Sequence, residues 1–272
     1  MKVYLNNKFI NENDASINIK DRGLLLGDSI FDTLLYNNQK IILFDYHYER
    51  FKKSISNSYF DFKLSKKNLK ETILKLIRIN NLQNHRVSIR CTLTRGNAKK
   101  RGLDFELSHQ VNFFITTGKL SKEPNLKPVK ISASNIKRYS NSMLVKNKTT
   151  NYFENIQAKY ISQKKGFDDA LILNEKNNLC CCSSSNIFYV ISNKLFTPSI
   201  KEGALDGTVR RYLIEKKKVA VKSISLNNLK DISEIFLTNS IGLRSVSRVN
   251  NVSFKSGPIT EKTIKFLNKI GI

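Results

Sequence analysis

Short apolar runs of strand length and longer runs with helical spacing follow one another along the whole of this 272-residue chain. That order fits a two-domain α+β architecture with mixed sheets. Strands are expected at Val3 to Leu5, Lys40 to Leu43, Val87 to Thr94 and Val111 to Thr117. Helices are expected near Asp45 to Asn57 and Lys66 to Asn80, the second with Leu69, Ile73, Leu74, Leu76 and Ile77 at helical spacing. The polar stretch around 119–127 reads as a linker dividing a small N-terminal domain, 1–118, from a larger C-terminal one, 128–272. In the latter, strands at Val129 to Ser132, Ala170 to Leu173, Ile187 to Ile191 and Ile235 to Leu237 alternate with helices after Lys148 and Asp206, and Thr260 to Ile270 closes the chain as a helix.

Several function classes fall away on composition. No stretch approaches the roughly 20 apolar residues of a membrane span, and the opening MKVYLNNKFI turns polar too early for a signal peptide. A cytoplasmic enzyme without a membrane partner is expected. The formal charge of +25 raises nucleic-acid binding, but the Lys and Arg residues are spread through every segment alongside abundant Asn and Ile. Such charge reports solubility and loose attraction, so no specific nucleic-acid partner is expected. Cys91 and the run Cys180, Cys181 and Cys182 lack the spacing of a disulfide framework or a zinc site. Three consecutive cysteines in a strand would face alternate sides, so no metal is expected. The chain also has neither a GxGxxG loop nor a P-loop.

Five local runs carry chemistry. The first, residues 21–51, holds Asp21, Arg22, Gly23, Gly27, Asp28 and Phe31, then His47 and Arg50 one helical turn apart. In the second, Lys148 precedes Asn151 and a helix, with Lys146 as a competing amine. The third, CCCSSSNIFYV at 180–190, reads by itself as a turn between strands. The fourth opens a helix at Gly207, Thr208, Val209 and Arg210, whose free N–H groups can hold a phosphate. The fifth, Thr238, Asn239 and Ser240, ends a strand with small polar groups suited to an anion.

In this order the runs resemble the class IV, fold-type IV enzymes that use pyridoxal 5'-phosphate (PLP): branched-chain and D-amino acid aminotransferases and 4-amino-4-deoxychorismate lyase. The resemblance covers nearly the whole chain. It implies that Lys148 carries PLP as a Schiff base, that Arg50, Thr208, Val209, Asn239 and Ser240 hold the phosphate, and that Phe31, Arg95 and Arg101 line the substrate pocket. It also implies a homodimer acting on a small amino substrate. The Lys148 to Asn151 spacing and the stretch TRGNAKKRGL at 94–103 are similar to the lyase branch. That branch forms 4-aminobenzoate and pyruvate in folate synthesis. The alternatives are an aminotransferase of D-amino acid or branched-chain type, and a repurposed scaffold without activity.

One position departs from the family. Where relatives carry a Glu that keeps the pyridine nitrogen of PLP protonated, alignment on Ser183, Ser185 and Asn186 places Cys181. An ordinary thiol, with a pKa near about 8.5, does not do this work unless it ionises. A weaker electron sink is therefore expected, which an aromatising lyase reaction tolerates better than transamination does.

Overall fold

The computed structural model describes residues 1–98, 100, 102–104 and 110–272. They form two units, one of Met1–Lys122 with Asn147–Asn151 and one of Glu123–Lys146 with Tyr152–Ile272. Lys148, which sequence order assigns to the C-terminal domain, thus belongs to the first unit.

The first unit contains β1 (Lys2–Leu5), β2 (Lys8–Asn11), α1 (Arg22–Leu26), β3 (Ser29–Asn37) and β4 (Lys40–Ile41). It continues with α2 (Phe44–Asn57), α3 (Lys66–Ile79), β5 (Val87–Thr94) and β6 (Asn112–Lys119). The strands form one sheet in the order β2-β1-β6-β5-β3-β4. The core joins Leu34, Ile89 and Ile115 of the sheet to Phe51 of α2 and to Ile73 and Leu76 of α3. The strand expected over Lys40 to Leu43 is only two residues long, because Phe44 already begins α2.

β3 is the longest of the strands that the sequence reading missed. Residues Ser29–Asp32 and Leu34–Tyr36 are all buried, so both faces are covered and the period-two alternation that marks a half-exposed strand is absent. Segment 148–150 pairs with its start. The Phe31 N–H donates to the Lys148 carbonyl at 2.8 Å, the Thr150 N–H donates to the Ser29 carbonyl at 3.1 Å, and Ile30 bridges Thr149.

The second unit contains β7 (Val129–Ala133), α4 (Met143–Lys146), α5 (Phe153–Lys164), β8 (Asp169–Leu173), β9 (Leu179–Cys182), β10 (Asn186–Ile191) and β11 (Lys194–Thr197). After these come α6 (Thr208–Lys216), β12 (Ala220–Val221), β13 (Glu234–Asn239), β14 (Gly242–Val249), β15 (Val252–Ser253) and α7 (Pro258–Asn268). The sheet runs β12-β11-β10-β13-β14-β7-β8-β9, and a further pairing of Asn186 with Cys181 joins β9 to β10. Strands β10, β13, β14, β7, β8 and β9 therefore close into a ring. Ile131, Leu171, Leu179, Ile187, Tyr189 and Leu237 fill one side of it.

The cysteine run does not alternate as expected. The β8–β9 register steps from Ile172↔Cys181 to Leu173↔Leu179, so Cys180 is the extra residue of a bulge. Cys180 and Cys181 both pack with Ala158, Ala170 and Ile172, whereas Cys182 joins the core on the other side. Among the described residues no helix is long and apolar enough to cross a membrane.

Candidate active site

A carboxylate inside the apolar strand Ile30–Leu35 has to find partners or be neutralised. Asp32 is 1% exposed, and α2 supplies the partners. The Arg50 guanidinium donates from Nε to Oδ2 and from Nη2 to Oδ1, both at 2.8 Å, and His47 Nδ1 lies 2.7 Å from Oδ1. Burial alone would raise the Asp32 carboxyl, but Arg50 and His47 outweigh it and hold the group well below the usual carboxylate range. Burial lowers the His47 imidazole against the pull of Asp32, with the Arg50 and Lys148 charges adding to the lowering. An ionised carboxylate only accepts, so the neutral imidazole presents Nδ1–H to it. His47 and Arg50, one helical turn apart, thus belong to a buried ion-pair network with Asp32. The readable signal for it is a lone Asp in an apolar run, followed by a His and an Arg at i and i+3.

Lys148 lies next to this network. Its Nζ is 4.2 Å from the centroid of the Phe31 ring, and Phe31 itself is buried. Lys148 is half-buried while Lys146 is exposed, which separates the two competing amines. The neighbouring Asn147 is buried and accepts from Asn57 at 3.1 Å, fixing the segment. A second cation approaches Phe31. Arg90 of β5 places its guanidinium carbon 3.5 Å from the ring centroid. Sequence reading passed over Arg90 because it belongs to an apolar strand rather than to a glycine-bearing loop.

Arg95 is buried, donates to Asp28, to the Tyr59 carbonyl at 2.8 Å and to the Ser58 carbonyl at 2.7 Å, and stacks on Phe60 at 3.8 Å. A guanidinium with this many fixed partners is a structural clamp. Arg101 lies outside the described residues. The Asp-Arg-Gly run is a clamp too. Asp21 caps α1 through the Gly23 N–H at 2.6 Å and accepts from Thr94 and Asn112 at 2.6 Å each, while Arg22 donates to Asp28 at 3.0 Å. Gly27, at φ +64°, ends α1 in a left-handed conformation, and its carbonyl accepts from Asn151 at 3.0 Å.

The second unit holds the other predicted residues. Thr208 and Val209 are the first residues of α6, whose N-cap Gly207 offers no side chain to its N–H groups. Arg210 turns inward to Asp206 Oδ1 and the Pro198 carbonyl, both at 2.9 Å, which ties down the approach to the helix. A Cβ on Gly207 would collide with Asn186 Oδ1. Gly207→Ala is therefore expected to cost about 1–3 kcal/mol in urea unfolding. Asn239 ends β13 and Ser240 begins the turn to β14, with Asn239 Oδ1 accepting from the Ile241 N–H at 2.9 Å. Beside them, Thr238 Oγ1 is buried and has no hydrogen-bond partner among the described residues. These neutral donors suit a phosphate.

Cys181 is buried next to Arg138, whose Nη1 is 3.5 Å from Sγ, and next to Cys180, whose thiol donates at 3.7 Å. The donation from Cys180, together with the Arg138 charge, outweighs burial and brings Cys181 down to about 7. Burial pushes Cys182 well up, and the hydrogen bond that Cys180 donates to Cys181, together with burial, pushes Cys180 well up too.

Residues 29–249 match the family described as amino-transferase class IV. The chain belongs to the class IV aminotransferase family. Over 88% of its length it is 28% identical to a protein provisionally named branched-chain-amino-acid aminotransferase from Methanocaldococcus jannaschii, 84% of which is covered. It is 25% identical to the aminodeoxychorismate lyase of Bacillus subtilis, over 88% of this chain and 83% of that one. The branched-chain aminotransferase of Thermoproteus uzoniensis superposes with a TM-score of 0.91 at 23% identity, over 99% of this chain and 94% of the other. The fold is that of the fold-type IV enzymes, and the class IV protein described here is an enzyme of that family.

Proposed function

We propose that this class IV enzyme uses PLP, attached through Lys148, to cleave 4-amino-4-deoxychorismate into 4-aminobenzoate and pyruvate. The observation that carries this reading is the Phe31 ring, approached by the Lys148 amine at 4.2 Å and the Arg90 guanidinium at 3.5 Å. An aromatic face beside an amine and a guanidinium suits a flat, unsaturated ring that bears an amine and carboxylates. The phosphate is assigned to the Thr208 and Val209 N–H groups, to Asn239 and Ser240, and to Arg50, whose planar fork is held rigid by Asp32. The donors at α6 and the unpartnered Thr238 hydroxyl fit that group.

When bound, PLP supplies an electron sink for the carbon that carries the substrate amine. The remaining work falls to this chain. Lys148 takes the proton from the substrate ring as a general base. Arg90 holds a carboxylate in register by a bidentate contact, and Phe31 shields the reacting face from water. Loss of the enolpyruvyl group as pyruvate leaves the ring aromatic, which gives the reaction a driving force independent of the sink.

Amino-acid transamination is the second reading, favoured by the name of the Methanocaldococcus jannaschii relative. The two are separated by incubating PLP-loaded protein with 4-amino-4-deoxychorismate, or with an amino donor and a 2-oxo acid, and quantifying products. Release of 4-aminobenzoate supports the lyase. Formation of a new amino acid with no 4-aminobenzoate overturns it.

A homodimer is also proposed. Phe153, Ile156 and Tyr160 form an exposed apolar stripe at i, i+3 and i+7 on α5, and Met143 and Leu144 of α4 are exposed as well. Ile156→Asp should shift the sedimenting species from dimer to monomer while the circular dichroism of the fold is kept. A wild-type chain that sediments as a monomer at all concentrations would refute the dimer.

A further inference from the structure

The thiol that stands where relatives carry a carboxylate has neighbours that sequence order conceals. Cys181 of β9 pairs with Asn186 of β10, and Asn186 pairs with Thr238 of β13. Directly paired residues of antiparallel strands show their side chains on the same face. With strands about 4.8 Å apart, the three residues make a row about 10 Å long. Gly207, the N-cap of α6, packs against the middle member, Asn186. One end of the row is thus a group of neutral donors: the start of α6 and the buried, unpartnered hydroxyl of Thr238. The other end is an acceptor. The Cys181 sulfur receives Arg138 Nη1 at 3.5 Å and the Cys180 thiol at 3.7 Å. Arg138 is itself fixed, donating from Nη2 to Asn155 Oδ1 at 2.8 Å, and Asn155 donates to the Ser183 carbonyl at 2.5 Å. The row offers donors that would suit the phosphate of a phosphorylated pyridine and, at the other end, an acceptor that would suit its ring nitrogen.

We propose that Cys181, as a thiolate with Arg138 as its counter-ion, accepts the hydrogen bond of the cofactor's pyridine nitrogen and takes the place of the missing carboxylate. The inference rests on the PLP reading above. One proton is shared at this contact and resides on nitrogen, the negative charge on sulfur being balanced by Arg138. Arg138 is a positioning residue, since it acts through Cys181. The charged and titratable groups acting on the sulfur are Arg138, Cys180 and Asp169, while Cys182 points to the other side of the sheet. Arg138 and the Cys180 thiol favour the thiolate, and Asp169 opposes it. The bulge at Cys180 is what turns that thiol toward Cys181; in a regular strand it would face away.

The test has two readouts that do not depend on turnover. In the full-length chain stripped of PLP, ultraviolet thiolate absorbance should titrate with a midpoint at about 7. The step should vanish in Cys181→Ser and move up in Arg138→Gln, which removes the counter-charge but keeps the Cys180 hydrogen bond. In chain loaded with PLP labelled with nitrogen-15 in the ring, the resonance should be pyridinium-like in wild type, become that of a neutral pyridine in Cys181→Ser, and return in Cys181→Glu. An identical ring-nitrogen resonance in wild type and Cys181→Ser, or a thiolate midpoint indifferent to Arg138→Gln, overturns the proposal. If the wild-type chain does not retain labelled PLP, the cofactor reading itself fails. The PLP-free titration tells that outcome apart from a missing Cys181–Arg138 pair.

Discussion

Replacing Lys148 by alanine is expected to leave a folded protein that forms no borohydride-reducible link to PLP. Activity should fall by at least the roughly 10²–10⁴-fold that a positioned proton-transfer group supplies. The fold should survive because the segment is held by its backbone: the Lys148 carbonyl accepts from Phe31 and the Thr150 N–H donates to Ser29, and neither bond needs the side chain. Lys146→Ala serves as the comparison, since that amine is exposed at the end of α4. Mass spectrometry after borohydride reduction decides between them. A normal adduct in Lys148→Ala, or its loss in Lys146→Ala, would remove Lys148 from the reaction.

The second large effect is on stability. Asp32→Ala removes the anion that Arg50 and His47 share and strands a nearly buried guanidinium, for an expected loss of about 3–5 kcal/mol in urea unfolding. The acid limb of the wild-type stability curve should carry two signatures. Asp32 is depressed in the folded state, so its contribution is fully present above the ordinary Asp value of about 3.9 and is lost as the pH falls from there toward the folded value. His47 is depressed as well. The unfolded chain binds its proton first, and stability begins to decline as the pH drops through about 6.5. Asp32→Ala should flatten the lower limb, and His47→Gln the upper one. Limbs unchanged in both variants would show that the network is energetically silent.

Legibility in the sequence followed exposure. The periodic apolar positions of α3 and the apolar run of β5 could be read directly, because each has one face or one length that only its own element explains. β3 could not be, since burial on both sides erased its alternation. The same holds within the candidate site. Lys148 stands out through its order among the other runs, and its burial separates it from Lys146. The partnership of Asp32 with His47 and Arg50 joins residues 15 and 18 positions apart and needs the strand to be known first. The partners of Arg95, the Asp28 carboxylate and the carbonyls of Ser58 and Tyr59, lie 36 to 67 positions away and could not be read from its loop. The cysteine run misled because one bulge reverses the side on which a residue faces.

The ring of strands in the second unit is closed through the pairing of Asn186 with Cys181. On either side of that seam the chain is uncharged: residues 177–193 carry no Lys, Arg, Asp or Glu, although the protein as a whole has a net charge of +25. If the seam opens, two adjacent uncharged strand edges are released, β9 of Leu and Cys and β10 rich in β-branched and aromatic residues, without the electrostatic repulsion that protects the rest of the surface. The step that would expose the sulfur and the phosphate loop is thus also the step at which this highly charged protein becomes prone to aggregation.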